Sequence, residues 1–145
     1  MKLLVTRQFP ATLDQSWLPA LDSALVERRL LKKPVSIVFV SPAAMRKLNR
    51  AYRGKDKATN VLSFALGQRT DPDEAFGGEI ILCYPKLVQS ARSRRHSIDD
   101  ECKLLIVHSI FHLKGYDHAT NRDAKIMERR EEQVLTALTA ALAKR

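Results

Sequence analysis

Three of the four histidines in this 145-residue chain fall within the run His108-Ser109-Ile110-Phe111-His112-Leu113-Lys114-Gly115-Tyr116-Asp117-His118. On a helix, His108 and His112 project from one face about one turn apart. Gly115 can end that helix, because glycine tolerates the left-handed conformation that follows a last turn. The chain can then reverse and carry His118 back toward the first two. Three neutral imidazoles around one point, with a fourth position open, describe a catalytic zinc-type site rather than a closed structural one. Pairs of histidines at this spacing also arise by chance. The third imidazole beyond a glycine is what favours a metal.

Such a ligand set leaves the ion's charge unneutralised by protein groups. It therefore lowers the pKa of a bound water from ~15.7 toward ~7 and draws in phosphate oxygens. The spacing also resembles that of the metzincin proteases, which carry a general-base Glu straight after the first histidine. Here that position is Ser109. A hydroxyl is no base near neutral pH, so peptide hydrolysis by that route is disfavoured.

The elements that must position these residues follow from local pattern. Ser97 caps a helix whose first turn holds Asp99, Asp100 and Glu101, where the helix dipole favours negative charge. Cys102, Leu104 to Val107, Ile110, Phe111 and Leu113 make that helix apolar on most sides, as in a buried element. Histidines in such a helix are costly without partners, and a metal would account for them. Upstream, Lys2 to Gln8 reads as a strand. Leu13, Trp17, Leu18, Leu21, Leu25 and Leu30 predict a helix to about residue 31, with Pro19 as an interruption or a late first turn. Residues 34–40 read as a β-branched strand. Ser41-Pro42 opens a helix that Gly54 ends, with Met45, Leu48 and Tyr52 as its apolar stripe. Strands follow at 59–65 and 78–84, separated by a polar loop over 67–77. Pro85 starts a helix toward Arg95, and a last helix runs from about Asn121 to Leu142. The order β-α-β-α-β-β-α-α-α suggests an α/β or α+β single domain over 1–145. Its small mixed sheet of about four strands is covered by helices, with the metal site at the C-terminal end of a central buried helix.

Composition is that of a soluble globular protein, with 45% hydrophobic and 28% charged residues. No apolar run is long enough to cross a bilayer, and the N-terminus turns polar too soon for a signal peptide; a cytoplasmic protein without a membrane partner is expected. Cys83 and Cys102 sit in apolar segments and read as small buried hydrophobes. The net charge of +9 favours a polyanionic partner, most simply nucleic acid. The charge clusters at Arg46, Lys47, Arg50, Arg53, Lys55 and Lys57, opposed only by Asp56, and again at Arg92, Arg94, Arg95 and His96. A third cluster around Arg122 to Arg130 is diluted by Glu128, Glu131 and Glu132 and reads as a solvated helix face.

Three blocks together resemble the YbeY family of bacterial metal-dependent endoribonucleases. The signature H-G-x-L-H-L-x-G-Y-D-H reads here H-S-I-F-H-L-K-G-Y-D-H. A second block, Y-R-x-K-D-x-x-T-[ND]-V-L-S-F, is matched by Tyr52 to Phe64, and the strand opening G-[DE]-I by Gly78-Glu79-Ile80. The resemblance runs from about residue 35 to the end. It implies one zinc-type ion held by His108, His112 and His118, and Arg53 as the functional arginine. It also implies cleavage of single-stranded RNA in ribosomal RNA processing, notably at the small-subunit 3′ end, and in ribosome quality control. The partners implied are the ribosomal small subunit and a ribosomal protein or ribosome-assembly GTPase. Two departures stand out. Ser109 replaces a glycine, which would loosen helix packing there, and Ala65 replaces the proline that commonly follows L-S-F.

Arg53 offers a planar fork of donors suited to a phosphate, so it would clamp the scissile group and stabilise charge developing there. The competing reading without the family pattern, less favoured than the clamp, is one more surface arginine in a basic loop. Asp117 could orient an imidazole as an outer carboxylate or simply tie the turn after Gly115. Arg50, Lys55 and Lys57 would supply phosphate contacts that set affinity and not sequence choice. The competing functions are another metal-dependent hydrolase, or a non-catalytic ribosome-associated factor whose metal holds the C-terminal turn. Stripping a structural ion would lower stability sharply, whereas stripping a catalytic one would mainly stop turnover.

Overall fold

The computed structural model describes residues 1–5, 9–65, 77–116 and 120–144. In chain order the elements are β1 (Leu3–Val5), a 3-10 turn (Gln15–Trp17), α1 (Leu18–Glu27), β2 (Val35–Val40), α2 (Pro42–Arg53), β3 (Val61–Phe64), β4 (Gly78–Cys83), α3 (Tyr84–Arg94), α4 (Ile98–Leu113) and α5 (Asn121–Ala143). The strands form one four-stranded sheet in the order β1-β2-β4-β3. β1, β2 and β4 run parallel, and β3 pairs antiparallel with β4. This is the α+β architecture and small mixed sheet expected above. Thr6 to Gln8, at the end of the expected first strand, and 67–76 of the expected loop lie outside the described residues.

The sheet separates two cores of unequal size, and the pleat of β4 shows how. Alternate side chains point to opposite faces. Ile80 and Leu82 join the large cluster built with α1, α4 and α5, whereas Ile81 and Cys83 join a small cluster under α2 with Met45 and Leu62. α4 runs through the large cluster, with Cys102, Leu105, Ile106, Val107, Ile110 and Phe111 all buried. Three of the helices, α2, α4 and α5, begin where a side chain accepts an orphan amide. Ser41 Oγ accepts from the Ala44 amide at 3.2 Å, Ser97 Oγ from Asp100 at 3.0 Å, and Thr120 Oγ1 from Asp123 at 3.0 Å.

One helix is shorter than its apolar pattern suggests. Pro19 sits in the first turn of α1, where its missing N–H costs nothing. The helix stops at Glu27, and Arg29 takes a left-handed φ of 58°. Leu30 and Leu31 therefore reach the core through a turn, whose Leu30 amide donates to the Leu25 carbonyl at 2.9 Å. At the sheet edge, buried Asp22 accepts the amides of Lys2 and Leu3 at 2.7 and 2.6 Å, tying β1 to α1. No helix among the described residues is long and apolar enough to cross a membrane. Both cysteines are free and buried. Burial pushes the Cys102 thiol up to about 12, with the nearby Asp99 charge adding to the shift. That agrees with the reading of Cys102 as an inert small hydrophobe.

Candidate active site

The C-terminal half of α4 carries His108 and His112 out of the core and against β3. Their Nε2 atoms approach to 3.0 Å with the rings nearly perpendicular, at 84°. On its other side, His108 Nδ1 lies 2.6 Å from Glu131 Oε1 on α5. An ionised carboxylate only accepts hydrogen bonds. Glu131 therefore holds the proton on Nδ1 and leaves the Nε2 lone pair directed toward His112. Two nitrogens ~2.0–2.1 Å from one tetrahedral ion would stand roughly 3.3 Å apart, close to the separation present here. A carboxylate behind a ligating imidazole is the usual outer partner of such a site. The donor set thus fits a divalent metal as far as the described residues reach. His118 and Asp117 lie outside them.

Gly115 has a φ of +94° and donates its amide to the His112 carbonyl at 3.0 Å, ending the helix where the spacing predicted. Tyr116 packs edge-on against Phe111, with ring centroids 5.1 Å apart.

Both histidines open onto a cleft of about 640 Å³ whose other wall is β3 with its flanking residues, 59–65, and the end of α2. Arg53 lines that cleft, so the fold brings together three of the residues singled out from sequence: His108, His112 and Arg53. Ser109 also lines it and is buried; the serine is accommodated, and α4 still packs against β3. Arg50, Lys55 and Lys57 are exposed and do not line the cleft. They lie around the end of α2, where Gly54 closes the helix and the buried Asn49 Nδ2 donates to the Lys57 carbonyl at 2.8 Å. Arg46 is engaged elsewhere, in a two-point pair with Asp56 at 2.8 and 2.9 Å. The hydrogen bond from Arg46 is the main reason the Asp56 carboxyl is held below the usual range.

Two sequence readings need correction. Glu131 is not part of a solvated face: it is 7% exposed and sits between Met127, Val134 and Leu138 on the buried stripe of α5. A carboxylate inside an apolar stripe of helical spacing was the signal available for it. The second basic cluster is partly committed inside the fold. Arg94 and His96 lie 3.7 and 3.6 Å from the fully buried carboxylate of Glu101, and the Arg94 charge compensates a carboxylate that would otherwise be buried alone.

The family model described as "Endoribonuclease YbeY" matches residues 6–139. A protein of that name from Alkaliphilus metalliredigens (strain QYMF) is 45% identical over 108 residues, 72% of this chain and 70% of the relative. Another from Alkaliphilus oremlandii (strain OhILAs) is 44% identical over 107 residues, covering 72% of this chain and 71% of the relative. One from Halalkalibacterium halodurans is 41% identical over 112 residues, with coverages of 71% and 70%. The solution structure of TM1509 from Thermotoga maritima superposes with a TM-score of 0.65 over 98% of this chain and 92% of that one. Its sequence identity is 24%, so that likeness speaks to the fold.

Proposed function

This chain belongs to the endoribonuclease YbeY family, and on that premise we propose that it is a metal-dependent endoribonuclease that cuts single-stranded RNA during ribosomal RNA processing. We read residues 1–145 as one catalytic domain working in the cytoplasm. Its substrate is ribosomal RNA of the small subunit, including the 3′ end, with a ribosomal protein or ribosome-assembly GTPase as partner and a part in ribosome quality control.

The observation that carries the reading is the meeting of His108 Nε2 and His112 Nε2 at 3.0 Å in the cleft that Arg53 also lines. His108 and His112, with His118, would hold the ion; three imidazoles suit zinc, and nickel, copper and iron accept the same ligand. When bound, such an ion supplies Lewis-acid polarisation of phosphate and a more acidic water. The chain's own residues do the rest. Glu131 keeps the His108 proton on Nδ1. Arg53, among the described residues, has no carboxylate partner, so its five donors are available to the phosphate of a bound strand and to charge developing on it. Arg50, Lys55 and Lys57 attract the backbone on either side of that contact.

The deciding experiment incubates a single-stranded ribosomal RNA fragment with purified wild type and His112→Ala, with metal content measured on both. We expect cleavage and bound metal in the wild type and neither in the variant. Equal cleavage by the two, or none by a fully loaded wild type, would overturn the assignment.

A further inference from the structure

The ridge beside the histidine cleft carries a half-exposed aromatic side chain. Tyr52 lies on the apolar stripe of α2, one turn beyond Leu48 and two beyond Met45. Met45 is fully buried, yet Tyr52 is 49% exposed, the one aromatic among the large hydrophobic side chains that stand exposed in the described residues. Its ring rests edge-to-face on Phe64 at the end of β3, with centroids 5.0 Å apart and planes at 61°. Both rings line the cleft that holds His108, His112 and Arg53. Both also line a second groove of about 470 Å³ on the far face of the sheet, floored by Val38, Val40 and Ile81. The aromatic pair is therefore the crest between two clefts, with the phosphate-binding arginine next to it in the chain.

We propose that Tyr52, braced by Phe64, is a stacking platform for an RNA base immediately beside the scissile phosphate. The inference rests on the endoribonuclease reading and adds the element that selects unpaired RNA. A stacked platform needs a base whose face is open, which a duplex does not offer. Tyrosine suits the task, since a ring with two side-chain torsions presents a large flat area at little entropic cost. The brace from Phe64 lowers that cost further. The occupant is RNA because the charge on the histidine side of the ridge is positive: Arg50, Arg53, Lys55 and Lys57 surround the end of α2, Asp56 is already held by Arg46, and Glu79 lines the far groove but not the histidine cleft. A base on Tyr52 and a phosphate at Arg53 would belong to the same or adjoining nucleotides. Such stacking is tolerant of base identity, so it would favour exposed single strands over any particular sequence.

The test uses the ribosomal RNA fragment that the wild type cleaves, intact and with single abasic nucleotides on either side of the cleaved bond. Single-turnover rates are measured against enzyme concentration for wild type, Tyr52→Phe, Tyr52→Leu and Tyr52→Ala, together with metal content and melting temperature. For Tyr52→Ala we expect unchanged metal content and a half-saturating concentration raised about tenfold, the usual scale of one lost base stack. Tyr52→Phe should restore wild-type saturation. Tyr52→Leu keeps apolar packing on Phe64 without a ring, so it should behave as Tyr52→Ala even if the alanine variant folds poorly. In the wild type, one abasic position should weaken binding by the same factor, and that penalty should vanish in Tyr52→Leu. An abasic penalty of equal size in both proteins would overturn the platform. So would unchanged saturation in the leucine variant, which would leave the ridge as a protein-docking surface. A wild type that cleaves no RNA removes the endoribonuclease reading and this inference with it, whereas the outcomes above remove the inference alone.

Discussion

The two walls of the cleft are anchored very differently. His108 and His112 stand on α4, which buries eight of its residues and passes through the main core, with Glu131 of α5 fixed behind the first imidazole. Arg53 stands at the last residue of α2, a helix that buries only Met45 and Asn49 and covers the minor core. Packed interiors hold side chains in single rotamers, whereas an exposed arginine keeps most of its freedom until a ligand arrives. On the proposed function, the histidine side would be prepared before substrate binds, and the arginine side would be ordered by the substrate. Mutations on the two walls should fail in different ways.

Among substitutions that leave the histidines in place, the largest effect should come from the exposed wall. Arg53→Ala should keep fold and metal and lower cleavage by ~10²–10³-fold, the scale of losing one donor to transition-state charge. Arg53→Lys retains the charge without the fork and should recover only part of the rate. Single-turnover rates with metal content measured in parallel check both. Wild-type cleavage by the alanine variant would end the phosphate-clamp role and, with it, the division of labour between the walls.

The next effect belongs to the buried wall and should appear in metal affinity before activity. Glu131→Ala removes the acceptor that holds the His108 tautomer, so metal affinity should fall by ~10–100-fold. Glu131→Gln keeps an acceptor oxygen without the charge and should lie between. Competition with a chromogenic chelator reads this directly. An unchanged affinity in the alanine variant would mean that packing on α4 alone orients the imidazole.

The histidine wall was the more legible of the two in sequence, and its one hidden member shows why. Spacing along a single helix is a local property, so His108, His112 and the Gly115 terminus could be read from periodicity. The caps at Ser41 and Ser97 were legible for the same reason. Glu131 reaches His108 from 23 residues away, and nothing local links them; the neighbouring Glu128 and Glu132 made it look like one of a solvated set. Arg94 and His96 looked like free positive charge because their partner, Glu101, becomes a partner only when α3 and α4 pack together. The early end of α1 was hidden too, since Leu30 continues the apolar pattern through a turn. Arg53 was marked by its family block, and its place opposite the histidines needed the sheet.

Gly78 joins the two walls and predicts a smaller, thermodynamic effect. A Cβ there would come within 2.8 Å of Leu113 Cδ1 and 3.0 Å of the Phe64 carbonyl oxygen. The leucine can move, but the strand carbonyl is held in the sheet. Gly78→Ala should therefore destabilise by ~1–3 kcal/mol, the usual cost of forcing a methyl into a filled space. Because Leu113 follows His112 and lines the cleft, metal affinity should fall along with melting temperature. Denaturant unfolding with and without metal separates the two effects. A loss of stability with no change in metal affinity would show that the walls are mechanically independent.

The smallest effects should come from the basic residues outside the cleft, where only the salt dependence is expected to discriminate among them. A lysine that neutralises one phosphate of a single strand contributes ~0.7 to the slope of log affinity against log salt. Lys55→Ala and Lys57→Ala should each lower the slope by about that amount and weaken binding only slightly at physiological salt. Arg46 is the internal control. Its guanidinium already meets both oxygens of Asp56, so a strand would have to displace a carboxylate to reach it, and Arg46→Ala should leave the slope nearly unchanged. Acidification should change that. Asp56 has a lowered folded pKa, so its pairing is intact above the ordinary carboxylate range and is lost as pH falls through the lowered value. Below that point Arg46 is released to bind phosphate, and the slopes of wild type and Arg46→Ala should separate. If they already differ at neutral pH, the exposed wall extends along α2 past Asp56, and the charge that draws RNA in is spread over the helix rather than gathered at its end.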